Sequence, residues 1–130
     1  MAVVTYTVLD PGEGHQFPSG TRVIKWANLN SATPDSGMPY ICPHYADKSI
    51  QLVVISGTTG SITFQGSNSV EAAPTKWGTL TEPDGTDLST LVTDGIIRQV
   101  LENTYQVRPL SVSGDKVFDV YLLLTTVARR

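Results

Sequence analysis

A chain of 130 residues, 40% hydrophobic and only 16% charged, has room for one ordinary domain with its own core. The charged fraction is well under the roughly 25% of average soluble proteins, which excludes a disordered chain held open by its charges. Net charge is −3, and the nine Lys and Arg residues are scattered, with only Arg129 and Arg130 adjacent. The clustered cations that displace counterions from phosphates are missing, so nucleic acid is not an expected partner.

Cys42 is the single cysteine, so no intramolecular disulfide forms, as suits synthesis in a reducing cytoplasm. Met1–Val8 lacks a basic start, a long apolar stretch and a cleavage site, and so does not read as a secretory signal. Apolar runs such as Val120–Leu124 fall far below the roughly 20 residues of a membrane helix. A soluble product with no membrane partner is expected.

Strand signals dominate in chain order. Val3–Val8 is rich in β-branched residues and stops at Asp10-Pro11-Gly12; His15–Gly20 reads as loop. Arg22–Ala27 alternates, with Arg22, Ile24 and Trp26 on one face and Val23, Lys25 and Ala27 on the other. Neither face is cleanly apolar, which points to an edge or an interface. Residues 28–48 hold Pro34, Pro39 and Pro43 and read as a long Pro-rich loop, a length that in a small domain is usually functional or disordered.

Ser49–Ser56 and Ser61–Gly66 are strands joined by Gly57-Thr58-Thr59-Gly60, a link that predicts a hairpin. Lys76–Leu80 is a short strand carrying Trp77, followed by a Pro83-Asp84-Gly85 turn. Leu88–Val92 is ambiguous, and Ile96–Glu102 favours strand. Tyr105–Val112 and Val117–Val127 are the last two strands, with Ser113-Gly114-Asp115-Lys116 predicting a second hairpin. No window of 11 residues keeps a 3.6-residue apolar period. About eight strands in one domain predict an all-β fold, a β-sandwich or jelly roll.

Chemistry-bearing constellations are sparse. His15 and His44 are the only histidines, and the Gly-x-Ser-x-Gly elbow of a hydrolase is absent. Cys42, His44 and Asp47 lie close in sequence, but no second Cys or His pair completes a zinc site. Glu82, Asp84 and Asp87 crowd one turn without the closing Glu of a calcium loop and read as a solvated connection. No catalytic residue, metal or cofactor is expected, and the chain is expected not to be an enzyme. Trp26, Trp77, Tyr40 and Tyr45 are the aromatics to weigh as sugar platforms against core or interface packing.

Ser61–Ser69, Lys76–Leu80, Pro83–Leu88 and Tyr105-Gln-Val-Arg-Pro-Leu110 resemble a pattern in small structural proteins of tailed phages. There a Gln-Gly-Ser-Asn turn precedes a Trp-x-x-Leu strand, a Gly turn and a Tyr-x-x-Arg-Pro strand. A Gly-Ser…Trp-x-x-Leu hairpin of this kind also occurs in discoidin-like jelly rolls. The resemblance covers about residues 49–126 and departs from the pattern at Ser69–Thr75, where an Asp-Gly turn is usual.

The resemblance implies a virion protein made in the host cytoplasm: a capsid decoration or cement protein that binds the major capsid protein and self-associates as a dimer or trimer. A head–tail or tail component and a carbohydrate-binding module are the alternatives. Expected partner contacts are Trp26, Tyr40, His44, Tyr45, Arg129 and Arg130, with an N-terminal strand free to pair outward.

Overall fold

The computed structural model describes residues 2–9, 21–43 and 45–125, and strands account for its regular structure. In chain order these are β1 (Val3–Val4), β2 (Tyr6–Leu9), β3 (Thr21–Asn30), β4 (Ser36–Gly37), β5 (Tyr40–Ile41), β6 (Asp47–Ser56), β7 (Ser61–Ser67), β8 (Gly78–Thr79), β9 (Ile97–Val100), β10 (Gln106–Val112) and β11 (Val117–Thr125). One sheet runs β1-β4-β10-β7-β8, with β5 also on β10; the other runs β2-β3-β11-β6-β9.

From β3 onward the spatial neighbours are β3-β11-β6-β9 in one layer and β4/β5-β10-β7-β8 in the other. First strand beside last, with the chain passing from layer to layer, is the order of a jelly roll. Taking β4 and β5 as one interrupted strand, the roll has eight positions; the sequence predicts seven of them and reads the β4/β5 position as loop. β1 and β2 extend it, one at the edge of each sheet. The N-terminal strand therefore does lie at an edge, with β1 parallel to β4 and β2 antiparallel to β3.

The two predicted hairpins do not form. β6 pairs with β11 and β9, whereas β7 pairs with β10 and β8, so Gly57–Gly60 carries the chain between sheets. Ser113–Lys116 does the same between β10 and β11. The corners stack on each other. Asp115 Oδ1 accepts from the Thr58 and Thr59 amides at 3.0 and 2.7 Å and from Thr59 Oγ1 at 2.9 Å. Thr59 O in turn accepts from the Asp115 and Lys116 amides at 2.9 and 2.7 Å. Gly60 has a φ of +113°, and any Cβ there would collide with the Ser31 side chain, while one on Gly114 would collide with Gly60 itself. The Gly-containing links do turn the chain, and this packing sets which strands they join.

The hairpin that the resemblance implies, Ser61–Gly66 with the Trp77 segment, does form, as Gln65 opposite Thr79 and Gly66 opposite Gly78. Leu88–Val92 is not a strand, but Leu88 and Leu91 hydrogen-bond to Phe64 and Ile62 and close the core beside β7.

Residues 28–48 are not one long loop. Asn28–Asn30 finish β3, β4 and β5 interrupt the middle, and Asp47–Lys48 begin β6. The backbone is held by the Asp35 carboxylate, which accepts from the amides of Asn30 and Ala2 at 3.0 and 3.2 Å and from Thr33 Oγ1. β4 and β5 are split at the level where β10 carries Arg108 and Pro109, and a proline has no N–H to extend the ladder. Gly37 is needed here because a Cβ would press on the Pro109 ring and on Trp26.

The core lies between the layers. Ile24, Trp26, Leu29, Ile50, Leu52, Phe118, Val120, Leu122 and Leu124 come from one sheet, and Tyr40, Ile62, Phe64 and Val107 from the other. β3 is flanked by β2 and β11 and is not an edge strand. Asn28, at φ 60°, sits at a bulge where the β3–β11 register shifts, and this turns Leu29 inward after Trp26. Asp119 accepts the Asn28 amide at 2.9 Å and pairs with Lys25 at 3.5 Å.

The corner carries a pH signature. Three donors converge on the Asp115 carboxylate and hold its pKa at about 2, below its ordinary 3.8. Its stabilisation is therefore full above about 3.8 and is lost as pH falls towards 2. Asp115→Asn should lower the melting temperature at pH 7, with the gap to the parent protein shrinking between about pH 4 and about pH 2. Melts followed by circular dichroism across that range check it.

Candidate contact surface

Trp26 points into the core, fully buried, with its Nε1 donating to Met38 O at 2.9 Å. Tyr6 meets it edge-on at 6.3 Å, and meets Tyr40 edge-on at 5.0 Å. Tyr40 and Tyr45 are each only 6% exposed, and Tyr40 Oη accepts from Arg22 at 3.2 Å. Trp26, Tyr40 and Tyr45 are thus core residues, and the expectation that they contact a partner is corrected. An indole and two phenols bury large apolar rings once their polar tips find partners within the fold. His44, Arg129 and Arg130, like His15, lie outside the described residues.

Cys42 is buried, its Sγ 3.9 Å from Thr104 O, and burial pushes the thiol up to about 11. Such a thiol stays protonated at neutral pH and is a poor nucleophile. The acidic turn is self-contained: Asp84 Oδ1 accepts the Thr86 amide at 2.9 Å, and Glu82 pairs with Arg98 at 3.4 Å. Among the described residues no group of three or more His, Cys, Asp or Glu side chains converges as a metal site would need. Lys48 is buried at the end of β6, its Nζ donating to Asn103 Oδ1 at 2.7 Å and to the carbonyls of Tyr45 and Glu102 at 3.4 Å. Those acceptors tie β6 to the β9–β10 connection, a structural use of the ammonium.

What the fold offers outward is contact surface, and two places stand out. The first is the outer face of the five-stranded sheet. Leu9, Val23, Leu123, Ser49 and Gln99 form one row across β2-β3-β11-β6-β9 by strand register; Thr7, Lys25, Tyr121, Gln51 and Ile97 form the next. Strand alternation would make this face polar, yet Leu9, Val23, Leu123 and Tyr121 give it an aliphatic and aromatic band, with Ile97 60% exposed at its end. Two shallow depressions of about 190 and 270 Å³ share Ser49, Ile97 and Leu123. The signal was legible in β3, where Val23 lies outward, but knowing that Leu123 and Ile97 join it requires the strand order.

The second place is a recess on the outer face of the six-stranded sheet, between β1, β4 and the residue 69–77 connection. Trp77 is half-buried there, its ring stacked on the Arg108 guanidinium at 4.2 Å and its Nε1 donating to Pro74 O at 3.2 Å. Arg108 was named in the sequence only as part of a strand motif, and nothing local to it points to Trp77, 31 positions away.

No protein-family model matches the chain, and no curated protein matches it in sequence. In three dimensions it is similar to the SPBc2 prophage-derived protein YomS, with a TM-score of 0.58 and 15% identity, covering 85% of this chain and 98% of that one. That likeness is one of fold. Weaker overlaps are with a cupin domain from Bordetella pertussis Tohama I (TM-score 0.45, 10% identity, 95% of each chain) and a double-stranded β-helix protein from Klebsiella pneumoniae (TM-score 0.39, 16% identity, 93% of this chain and 86% of that one).

Because Trp26 is core, Trp26→Ala should cost about 3–5 kcal/mol of folding stability, from the lost ring and the cavity left behind. Chemical denaturation measures this. A variant of unchanged stability would return Trp26 to the surface.

Proposed function

We propose that this chain is a non-enzymatic structural protein of a tailed-phage particle, a capsid decoration protein that lays one sheet face against neighbouring major capsid subunits. The observation that carries the reading is the apolar band of Leu9, Val23, Leu123, Tyr121 and Ile97 on a face that solvent alone would leave polar. Leu9, Val23, Leu123 and Tyr121 are neighbours across β2, β3 and β11, with Lys25 beside them and Ser49 and Gln51 between them and Ile97, and apolar surface interspersed with polar residues suits a protein–protein contact. A flat sheet face with shallow depressions suits a broad, gently curved partner better than a small ligand, which wants a deep enclosed site.

Two further points support it. One fold neighbour, the protein YomS, comes from a prophage. The sequence motifs of β7, the Trp77 segment and β10 resemble those of small phage structural proteins. Self-association on the capsid surface would use the same face or the sheet edges at β1 and β2, which among the described residues pair on one side only.

Leu123→Arg places a charge in the middle of the band while leaving the core untouched, so stability should change by about 1 kcal/mol or less. Particle occupancy, measured by co-sedimentation and cryo-electron microscopy, should fall at least roughly tenfold, since a charge is then buried without a partner. Particles lacking the protein should also break open at a lower temperature. Full heat resistance without it would end the cementing role, and density at the portal or tail would move the protein to a head–tail position.

A further inference from the structure

Arg108 projects from β10 onto the outer face of the six-stranded sheet and is held there on two sides. Its Nε donates to Gln65 Oε1 at 2.9 Å, and its plane stacks on Trp77. Its terminal nitrogens donate to no protein acceptor among the described residues, and no carboxylate among those residues pairs with it. Partial burial pulls the Arg108 pKa down from its ordinary value. Charge is being held in a half-dry place without its usual counter-charge. Guanidinium pairs with carboxylate through two parallel N–H···O bonds, and the terminal edge that makes them is the one left open.

The surroundings are built in advance. Gln106, nearly fully buried, donates through Nε2 to Ser69 O and Glu71 O at 2.8 and 2.9 Å and pins the connection that carries Ala73, Pro74 and Trp77. Opposite stand Val3, Met38 and Pro39, with Val3 60% and Met38 40% exposed. Between them lies a recess of about 290 Å³, at the small end of the roughly 300–1,000 Å³ of small-molecule sites.

We propose that this recess receives a short polypeptide segment of a partner protein, in which a carboxylate flanked by apolar side chains pairs with Arg108. The lining decides between peptide and glycan. A sugar needs several directional partners for its hydroxyls, and apart from Arg108 the walls offer one polar side chain, Ser36, which is itself buried. Apolar walls around one cation fit an Asp, Glu or C-terminal carboxylate between aliphatic or aromatic neighbours. β1 borders the recess and has one edge with no strand partner among the described residues, so its backbone can extend the contact along the segment. The recess lies on the opposite sheet from the aliphatic band, so its failure and the failure of the particle role are separate results.

The test is selection of a random-peptide display library on the immobilised full chain, followed by titration of synthesised hits. Trp77 fluorescence is the readout, since the other tryptophan, Trp26, is buried. Selected peptides should share an acidic residue between apolar ones. Affinity should drop about tenfold or more in Arg108→Gln, and equally when the peptide's Asp or Glu becomes Asn or Gln, with no further loss when both changes are combined. Ala73→Glu, at an exposed rim position remote from the core, should give the same loss by offering Arg108 an internal carboxylate. Overturning results are an empty selection, hits with no acidic preference, hits indifferent to Arg108→Gln, or Arg108-dependent binding of a glucuronate-containing tetrasaccharide in their place.

Discussion

Two tight corners, packed against each other, govern this molecule. Gly57–Gly60 and Ser113–Lys116 each hand the chain from one sheet to the other, and the Asp115 carboxylate clamps the first corner from the second. Were each link to close its own hairpin, β6 would lie beside β7 and β10 beside β11, and neither sheet would have its observed centre. Instead β11 becomes the middle of one sheet, between β3 and β6, while β10 takes the middle of the other. Every long-range pairing that buries Trp26, Phe64 and Phe118 follows from those two crossings.

The crossings also explain the outer faces. A strand at the centre of a sheet presents one set of alternate side chains to the core and the other outward. On β11 the inward set is Phe118, Val120, Leu122 and Leu124, all fully buried, and the outward set includes Tyr121 and Leu123. Had the bulge at Asn28 been absent, Leu29 would have turned out and the register beyond it would have slipped by one residue. Asp119 satisfies the amide that the bulge exposes, so one carboxylate keeps the inner face apolar and the outer face in register. The contact band is a by-product of the same alternation that makes the core.

The two outer faces differ in character for a physical reason. On the five-stranded side the apolar residues sit on long, regular strands and give a shallow, extended band. On the six-stranded side the ladder is broken beside Pro109, and a pinned connection walls off a small volume over Arg108. Broad surface and walled recess suit different partners: a subunit face for the one, a peptide segment for the other. Of the aromatics that the sequence offers, Trp26, Tyr40 and Tyr45 fall in the core and only Trp77 borders one of the two places. Trp26 lies on an alternating strand and Tyr40 in loop-like composition, yet both point inward, and their burial shows that the segment between them crosses from one sheet to the other.

Alternation of β-branched and aromatic residues, the frequency of turn signals and the lack of any helical period were enough to establish an all-β chain of about eight main strands and most of their limits. These are local properties, decided by neighbours within a few residues. Which strands pair, whether a four-residue link is a hairpin or a corner, and whether a tryptophan faces core or solvent depend on residues far apart in the chain, such as Asn28 and Asp119, 91 positions apart, or Thr59 and Asp115, 56 apart. Packing makes those choices, because each candidate pairing is locally acceptable and only one of them closes a dry interior around Trp26 and Phe118.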